Sequence, residues 1–261
     1  MSQPVLCSLP LVIALASFGH AQTEASYTPP PDSAGAVSRV PFAAGKRVGQ
    51  RFQKRFLECD TQDRCDGKPL KAGCTKDQNR NTALLDLPNN VLFYEAKMAV
   101  DADGSPLSKN NPGKTDQADT SFRYAMAGRP SVDSDKVPYI AVPSGGFTQE
   151  LGVRLGDIAA VIYRDKIVYA LVADIGPACK IGEGSIQLHE QIGHPVCRSR
   201  NAQGECTKIL DSGIEKSVLY IVFRGSGARI LKEITPANVN DRVATEGAKL
   251  MLQLTGESAA R

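Results

Sequence analysis

Tyr169-Ala-Leu-Val-Ala-Asp174-Ile-Gly176-Pro177-Ala-Cys179-Lys180-Ile-Gly182-Glu183-Gly184-Ser185 is the stretch around which the rest of the chain can be read. It begins inside an apolar run, Ile167 to Ala173, that is short, rich in strand-forming residues and ended by a turn. This is the pattern of a buried β-strand. Asp174 is expected where that strand stops, with Gly176-Pro177 turning the chain at once. Glu183 follows nine residues later, between Gly182 and Gly184, where the backbone can approach a ligand closely. Ser185 then opens Ser-Ile-Gln-Leu-His-Glu-Gln-Ile, in which Ile186, His189 and Ile192 recur at helical spacing until Gly193 ends it. An Asp at a strand end and a Glu at a helix start, joined by a glycine loop, can stand across one cleft. Paired carboxylates are the chemistry of glycoside hydrolysis. The plainer alternative is that both acids are turn or cap residues binding their own backbone, and on local pattern alone it has the better claim.

Further strands lie on either side. Leu155 to Tyr163 and Lys166 to Val172 are separated by Arg164-Asp165, a two-residue hairpin turn. Val91 to Val100, Val137 to Val142 and Val218 to Phe223 are three more apolar runs of strand length. Asp101-Ala-Asp103-Gly104 resembles the opening of a calcium loop but has no glutamate at the required downstream position, so a turn is expected. Asp116-Gln-Ala-Asp119-Thr-Ser-Phe-Arg123-Tyr124 is a polar cluster. Many short strands with few helices predict a barrel or sandwich with insertions. From Asn238 a helical pattern runs through Val243, Ala244, Ala248, Leu250, Met251 and Leu254.

At 261 residues, with 42% hydrophobic and 23% charged residues, the chain can bury a sizeable core as one large domain or two small ones. It has no Trp, so any stacking on a sugar falls to Tyr and Phe. Val5 to Phe18 is apolar and leads to Gly19-His20-Ala21, which predicts a signal peptide over 1–21. The Pro-, Ala- and Ser-rich residues 22–49 read as a disordered linker, and 50–90 as a Cys-rich extension. Removing the signal leaves Cys59, Cys65, Cys74, Cys179, Cys197 and Cys206, an even set that suggests up to three disulfides in an exported protein. Zinc is the competing use, but no pair has the two-residue spacing of a zinc site, and only His189 and His194 remain as partners. No metal or cofactor is expected. The basic run Lys46, Arg47, Arg51, Lys54, Arg55 is followed at once by Glu58 and Asp60 and reads as a solvated helix face, not a nucleic-acid site. No Gly-x-Ser-x-Gly occurs, and the two histidines read as helix-face and turn residues. The destination expected is secreted or periplasmic, with no membrane contact after signal removal, as a monomer.

Seven phrases in order resemble family 75 of the glycoside hydrolases, the chitosanases best known from filamentous fungi. They are Tyr94-Glu-Ala-Lys-Met-Ala-Val-Asp-Ala-Asp103-Gly-Ser-Pro, Asp119-Thr-Ser-Phe-Arg-Tyr124, Lys136-Val-Pro-Tyr-Ile-Ala-Val-Pro143, Leu155-Gly-Asp-Ile-Ala-Ala-Val, Ala173-Asp-Ile-Gly-Pro177, Lys180-Ile-Gly-Glu-Gly-Ser185, and Val218 to Ser226. The resemblance implies a catalytic domain over 91–227, followed by a tail over 228–261. It implies endo-hydrolysis of β-1,4-linked glucosamine polymers with inversion, and a mainly β core like the double-psi β-barrel. By position the family's catalytic Asp and Glu fall on Asp174 and Glu183. Ala173 stands where Gly often precedes the Asp. Among substrate-binding candidates Asp119 and Arg123 come first because their phrase recurs in the family, with Asp103, Tyr94 and Lys180 beside them.

The resemblance gives Glu183 as proton donor and Asp174 as base. A helix start beside Glu183 and an apolar strand under Asp174 argue for the reverse, so the pair is expected and its roles stay open. A net charge of +3 is unhelpful for a polycationic substrate, although the basic residues gather near the N-terminus and Asp101, Asp103, Asp116, Asp119 and Asp157 lie within the matching core. Singly, each of these acids reads as a surface or turn carboxylate. A peptidoglycan hydrolase and a non-catalytic glycan-binding module are the competing functions.

Overall fold

In a computed structural model, which describes residues 27–70, 74, 83–110, 117–210 and 212–256, the apolar runs become strands of one sheet. The chain begins with β1 (Lys46–Arg47), α1 (Gln50–Gln62), and the short strands β2 (Arg64–Cys65) and β3 (Lys68–Pro69). β4 (Leu84–Leu87) leads into the long β5 (Val91–Asp101), then α2 (Pro106–Asn110) and β6 (Tyr139–Pro143). Next come α3 (Phe147–Leu151), β7 (Ile158–Tyr163), β8 (Lys166–Gly176), β9 (Glu183–Ser185) and α4 (Ile186–Gln191). The paired strands β10 (Cys197–Arg200) and β11 (Cys206–Ile209), β12 (Ile214–Phe223) and α5 (Val239–Thr255) complete it. Arg164-Asp165 joins β7 to β8 as expected, with Arg164 at φ 57°.

The strands run in the order β5-β12-β7-β8-β6-β9, and β9 pairs back onto β5, so six strands close into a barrel. Closure leaves no free sheet edge within the ring. Most pairs are antiparallel, but β6–β8 and β5–β9 are parallel. The core is thus mainly β and a closed six-stranded barrel, in line with the barrel that the resemblance implied and one of the two forms that the strand count allowed.

Successive residues of a strand face opposite sides, and here both sides are apolar. Leu92, Tyr94, Ala96 and Met98 of β5 join Val161, Val172 and Tyr220 in one cluster with Phe52 and Phe56 of α1 and Phe147 of α3. Phe93 of β5 joins Tyr139, Ile158, Leu171 and Ile221 in a second cluster with Val239, Val243, Leu250 and Leu254 of α5. A helix of 17 residues cannot lie inside a six-stranded barrel, so the α5 side is the outer wall and the other cluster fills the interior. The tail helix packs along β7 and β8, with Gly247 set against the ring of Tyr169.

The described part of the expected linker behaves otherwise. Tyr27 lies edge-on to Phe42 and Phe93 at 4.9 and 4.8 Å, and its hydroxyl donates to Glu95 at 2.7 Å. Val37, Val40 and Phe42 are buried, and β1 pairs with β4. Residues 27–49 therefore cover the outer wall, because their few apolar and aromatic side chains find an apolar surface there. The signal over 1–21 lies outside the described residues. Disulfides join Cys59 to Cys74, Cys65 to Cys179 and Cys197 to Cys206. No helix among the described residues is long and apolar enough to cross a membrane.

Candidate active site

Asp174 owes its direction to an irregularity in β8. Val172 pairs with Ile140 of β6, but the next partner of β6, Ala141, meets Asp174, so Ala173 is an extra residue in the ladder. Such a bulge re-aims the side chain that follows it. β8 then continues through Ile175 and Gly176, opposite Val142 and Pro143, which places Asp174 within the strand and not at its end. Three bonds from segment 117–137 hold the irregular backbone and the acid together. The Phe122 N–H donates to the Ala173 carbonyl at 2.9 Å, and the Ser121 N–H and hydroxyl donate to Asp174 Oδ1 at 2.7 and 2.6 Å.

Glu183 belongs to β9, which lies on the other side of β6, and it too pairs with Ala141. Ser185 caps α4 as expected, accepting from the Leu188 N–H at 3.1 Å, but Glu183 stands in a strand before the helix and not at its start. The reason is closure, since the residues just before the helix must pair with both β5 and β6. Residues paired across strands project from the same face, so Asp174, Ala141 and Glu183 form one row on the outer wall. Two strand spacings put the Cα atoms of the acids about 10 Å apart. The Glu183 side chain leans back over β6: a Cβ on Gly176 would collide with Glu183 Oε2. The Glu183 carboxylate thus overlies a residue two positions beyond Asp174, about 7 Å along the strand.

Other polar groups crowd this row. The carboxylates of Asp101, Asp103 and Asp174 lie within 4.8 Å of one another, and all three residues are buried. Asp101 ends β5 opposite Ser185. Its Oδ1 accepts the Asp103 N–H at 3.0 Å and lies 3.0 Å from the Tyr139 hydroxyl. Burial, and then the nearby Asp174, Asp103 and Glu183, push the Asp101 carboxyl well above the usual range. Acids this close need a proton or a cation between them, and the Asp103 N–H bond only partly offsets the rise at Asp101. Lys180 pairs with Glu183 at 2.9 Å.

Of the candidates named from the sequence, Asp174, Glu183, Asp103 and Lys180 meet at this wall. Asp119 and Arg123 form an exposed ion pair at 3.1 Å on the segment that carries Ser121, where Ser131 and Arg123 hold the Asp119 carboxyl below its usual range. Asp116 lies outside the described residues. Tyr94 is removed from the set: it is wholly buried in the barrel interior, stacked on Tyr220 at 4.5 Å, where no polymer reaches it. Asp101 and Asp157 are buried and not surface acids. Asp157 accepts the Arg154 N–H at 2.8 Å and the Gly227 N–H at 3.3 Å, a loop-fixing role. His189 faces the Ala99 carbonyl at 3.3 Å and His194 the Ser212 carbonyl at 3.0 Å. Sequence reasoning missed Ser121, Tyr139 and the part played by Asp101. The one available signal was the i, i+2 spacing of Asp101 and Asp103 where the apolar run of β5 gives way to a turn.

Glycoside hydrolysis uses two carboxyl groups flanking one bond, and Asp174 and Glu183 stand on one face of this wall. Comparison with family models agrees: residues 98–257 match the family described as fungal chitosanase of glycosyl hydrolase group 75. The chain belongs to this family of glycoside hydrolases. The match runs through α5, so the tail helix is included in it, and it covers Asp101 and every candidate of the wall while leaving out Tyr94. No curated protein matches the chain.

Proposed function

We propose that the protein is a secreted endo-chitosanase that hydrolyses β-1,4-linked glucosamine polymers with inversion. The observation that carries this reading is the shared row of Asp174 and Glu183 across Ala141, with the Glu183 carboxylate over Gly176. In the inverting reaction one carboxyl protonates the leaving oxygen while the other takes a proton from water attacking the anomeric carbon on the opposite face. That needs the groups about 6.5–9.5 Å apart, against about 5–5.5 Å when one attacks the sugar directly. Backbone positions two strands apart on this row support the wider arrangement, with room for a water between the side chains.

Asp174 is the base. Two donors from Ser121 to one oxygen fix its rotation and leave the other oxygen for water. Glu183 takes the acid role by its match to the family's proton donor, and Lys180 positions its carboxylate before the proton is taken up. The substrate reading is supported by charge: Asp103, Asp174 and Glu183 concentrate acidic groups where an ammonium-bearing sugar would pass. An outer wall, unlike the barrel interior, lets a polymer run through on both sides. Three disulfides fit an oxidising compartment outside the cytosol.

The test is reducing-end release from chitosan, chitin and peptidoglycan by wild type, Asp174→Asn and Glu183→Gln. Chitosan cleavage by wild type, reduced about 10²–10⁴-fold in each folded variant, is the expected result. The first product anomer, read by proton NMR, should be inverted. Cleavage of peptidoglycan alone would move the substrate and keep the site. Variants as active as wild type would overturn the site.

A further inference from the structure

We propose that Asp101 is a positioning residue for this reaction: it stays protonated beside Asp174, so that the pair carries one charge and Asp174 holds it. The role, though not the protonation, rests on Asp174 being the base. The Tyr139 oxygen lies 3.0 Å from Asp101 Oδ1 and also 3.0 Å from the Asp103 carbonyl oxygen. A phenol has one hydrogen, and a carbonyl can only accept. With Tyr139 donating to Asp103, the contact with Asp101 requires a hydrogen from Asp101 itself. An ionised Asp101 would leave one of these two buried oxygen pairs without a hydrogen between them.

The surroundings agree. Asp174 faces Asp101 from β8, Glu183 from β9 and Asp103 from the following turn, so every charged group acting on it is an acid. Tyr139 faces it from β6, and the Ser134 hydroxyl donates to the Asp101 main-chain oxygen at 2.6 Å. Asp174 is met by two donors from Ser121 at 2.7 and 2.6 Å, against the one main-chain donor, the Asp103 N–H at 3.0 Å, that meets Asp101, and the shorter double set suits the charged partner. Two carboxylates within 4.8 Å in a buried place resist double ionisation, and the hydrogen bonds decide which keeps the proton. A neutral Asp101 lines the base with a polar group and adds no second charge that would compete for its proton.

Infrared difference spectra of wild type against Asp101→Asn test the protonation without reference to activity. At about pH 7, above the range where ordinary carboxyls ionise, wild type should show a protonated-carboxyl stretch that the variant lacks. Tyr139→Phe, which removes the acceptor, should move that band to higher frequency. Activity profiles then test the role. Asp101→Asn, neutral like the protonated acid, should keep the acid limb of kcat/KM within about 0.3 pH unit of wild type. Asp101→Leu, with an apolar side chain against a buried carboxylate, should move that limb up by about one unit. Absence of the band, or a lowered acid limb in Asp101→Asn, would show that Asp101 is charged and overturn the proposal. An Asp101→Leu profile unshifted beside a lower Tm would make its part merely structural and overturn the role. If the band is present but Asp174→Asn cuts as well as wild type, the catalytic reading fails and the positioning role with it, while the protonation stands.

Discussion

Gly176 shows how little room the site leaves. Its missing side chain is where the Glu183 carboxylate lies, so Gly176→Ala should push that group aside without entering the barrel core. A misplacement of about 1 Å costs on the order of 10²-fold in rate, so kcat should fall by that order while Tm stays close to wild type. Steady-state kinetics with a thermal melt checks both; an unchanged kcat would mean that Glu183 works from another position. Glycine at 176 was visible in the sequence only as half of a turn, because the contact that requires it comes from β9. Tyr94 and Asp101 teach the same lesson on one strand. They lie seven positions apart on β5 and so face opposite sides, but when both faces are apolar the alternation does not say which is the interior.

Among the elements, the loop between β8 and β9 matters most, since it begins just after Asp174 and ends at Glu183. Cys179 in this loop is bonded to Cys65 of β2, which ties it to the small lobe built on α1. That lobe is anchored in turn by a buried ion pair between Asp60 of α1 and Lys97 of β5. The bond joins residues 114 apart, and losing such a link typically removes about 2–4 kcal/mol of stability. The double variant Cys65→Ser, Cys179→Ser should therefore unfold at lower urea and lose part of its kcat even when folded. Kinetics well below the unfolding midpoint distinguish the two effects. Full kcat there would show that the loop holds its shape alone. An even cysteine count announced disulfides, but only the fold could show that one of them crosses from the N-terminal lobe to the site.

For the whole molecule, acid stability depends on His189 of α4. Burial, partly offset by its bond to the Ala99 carbonyl, lowers its pKa to about 4, against about 6.5 in an unfolded chain. The unfolded state thus takes up the proton first as pH falls. The stability is full above about pH 6.5 and is lost towards pH 4, by on the order of 3 kcal/mol. Urea unfolding at neutral and acid pH should show a smaller loss in His189→Gln than in wild type; equal losses would assign acid sensitivity to other groups. By itself the sequence determined the strands, the Arg164-Asp165 hairpin, the helix opened by Ser185, the tail helix, and Asp174 and Glu183 as the acids to watch. Those features depend on neighbours along the chain, through period, turn chemistry and capping. Only the tertiary structure decided which strand face is the outer wall, that Ala173 is a bulge, that β9 closes the ring, and that Asp101, Ser121 and Tyr139 surround Asp174. Those depend on pairing between strands far apart in sequence, where shifting one residue changes the face on which a carboxylate stands.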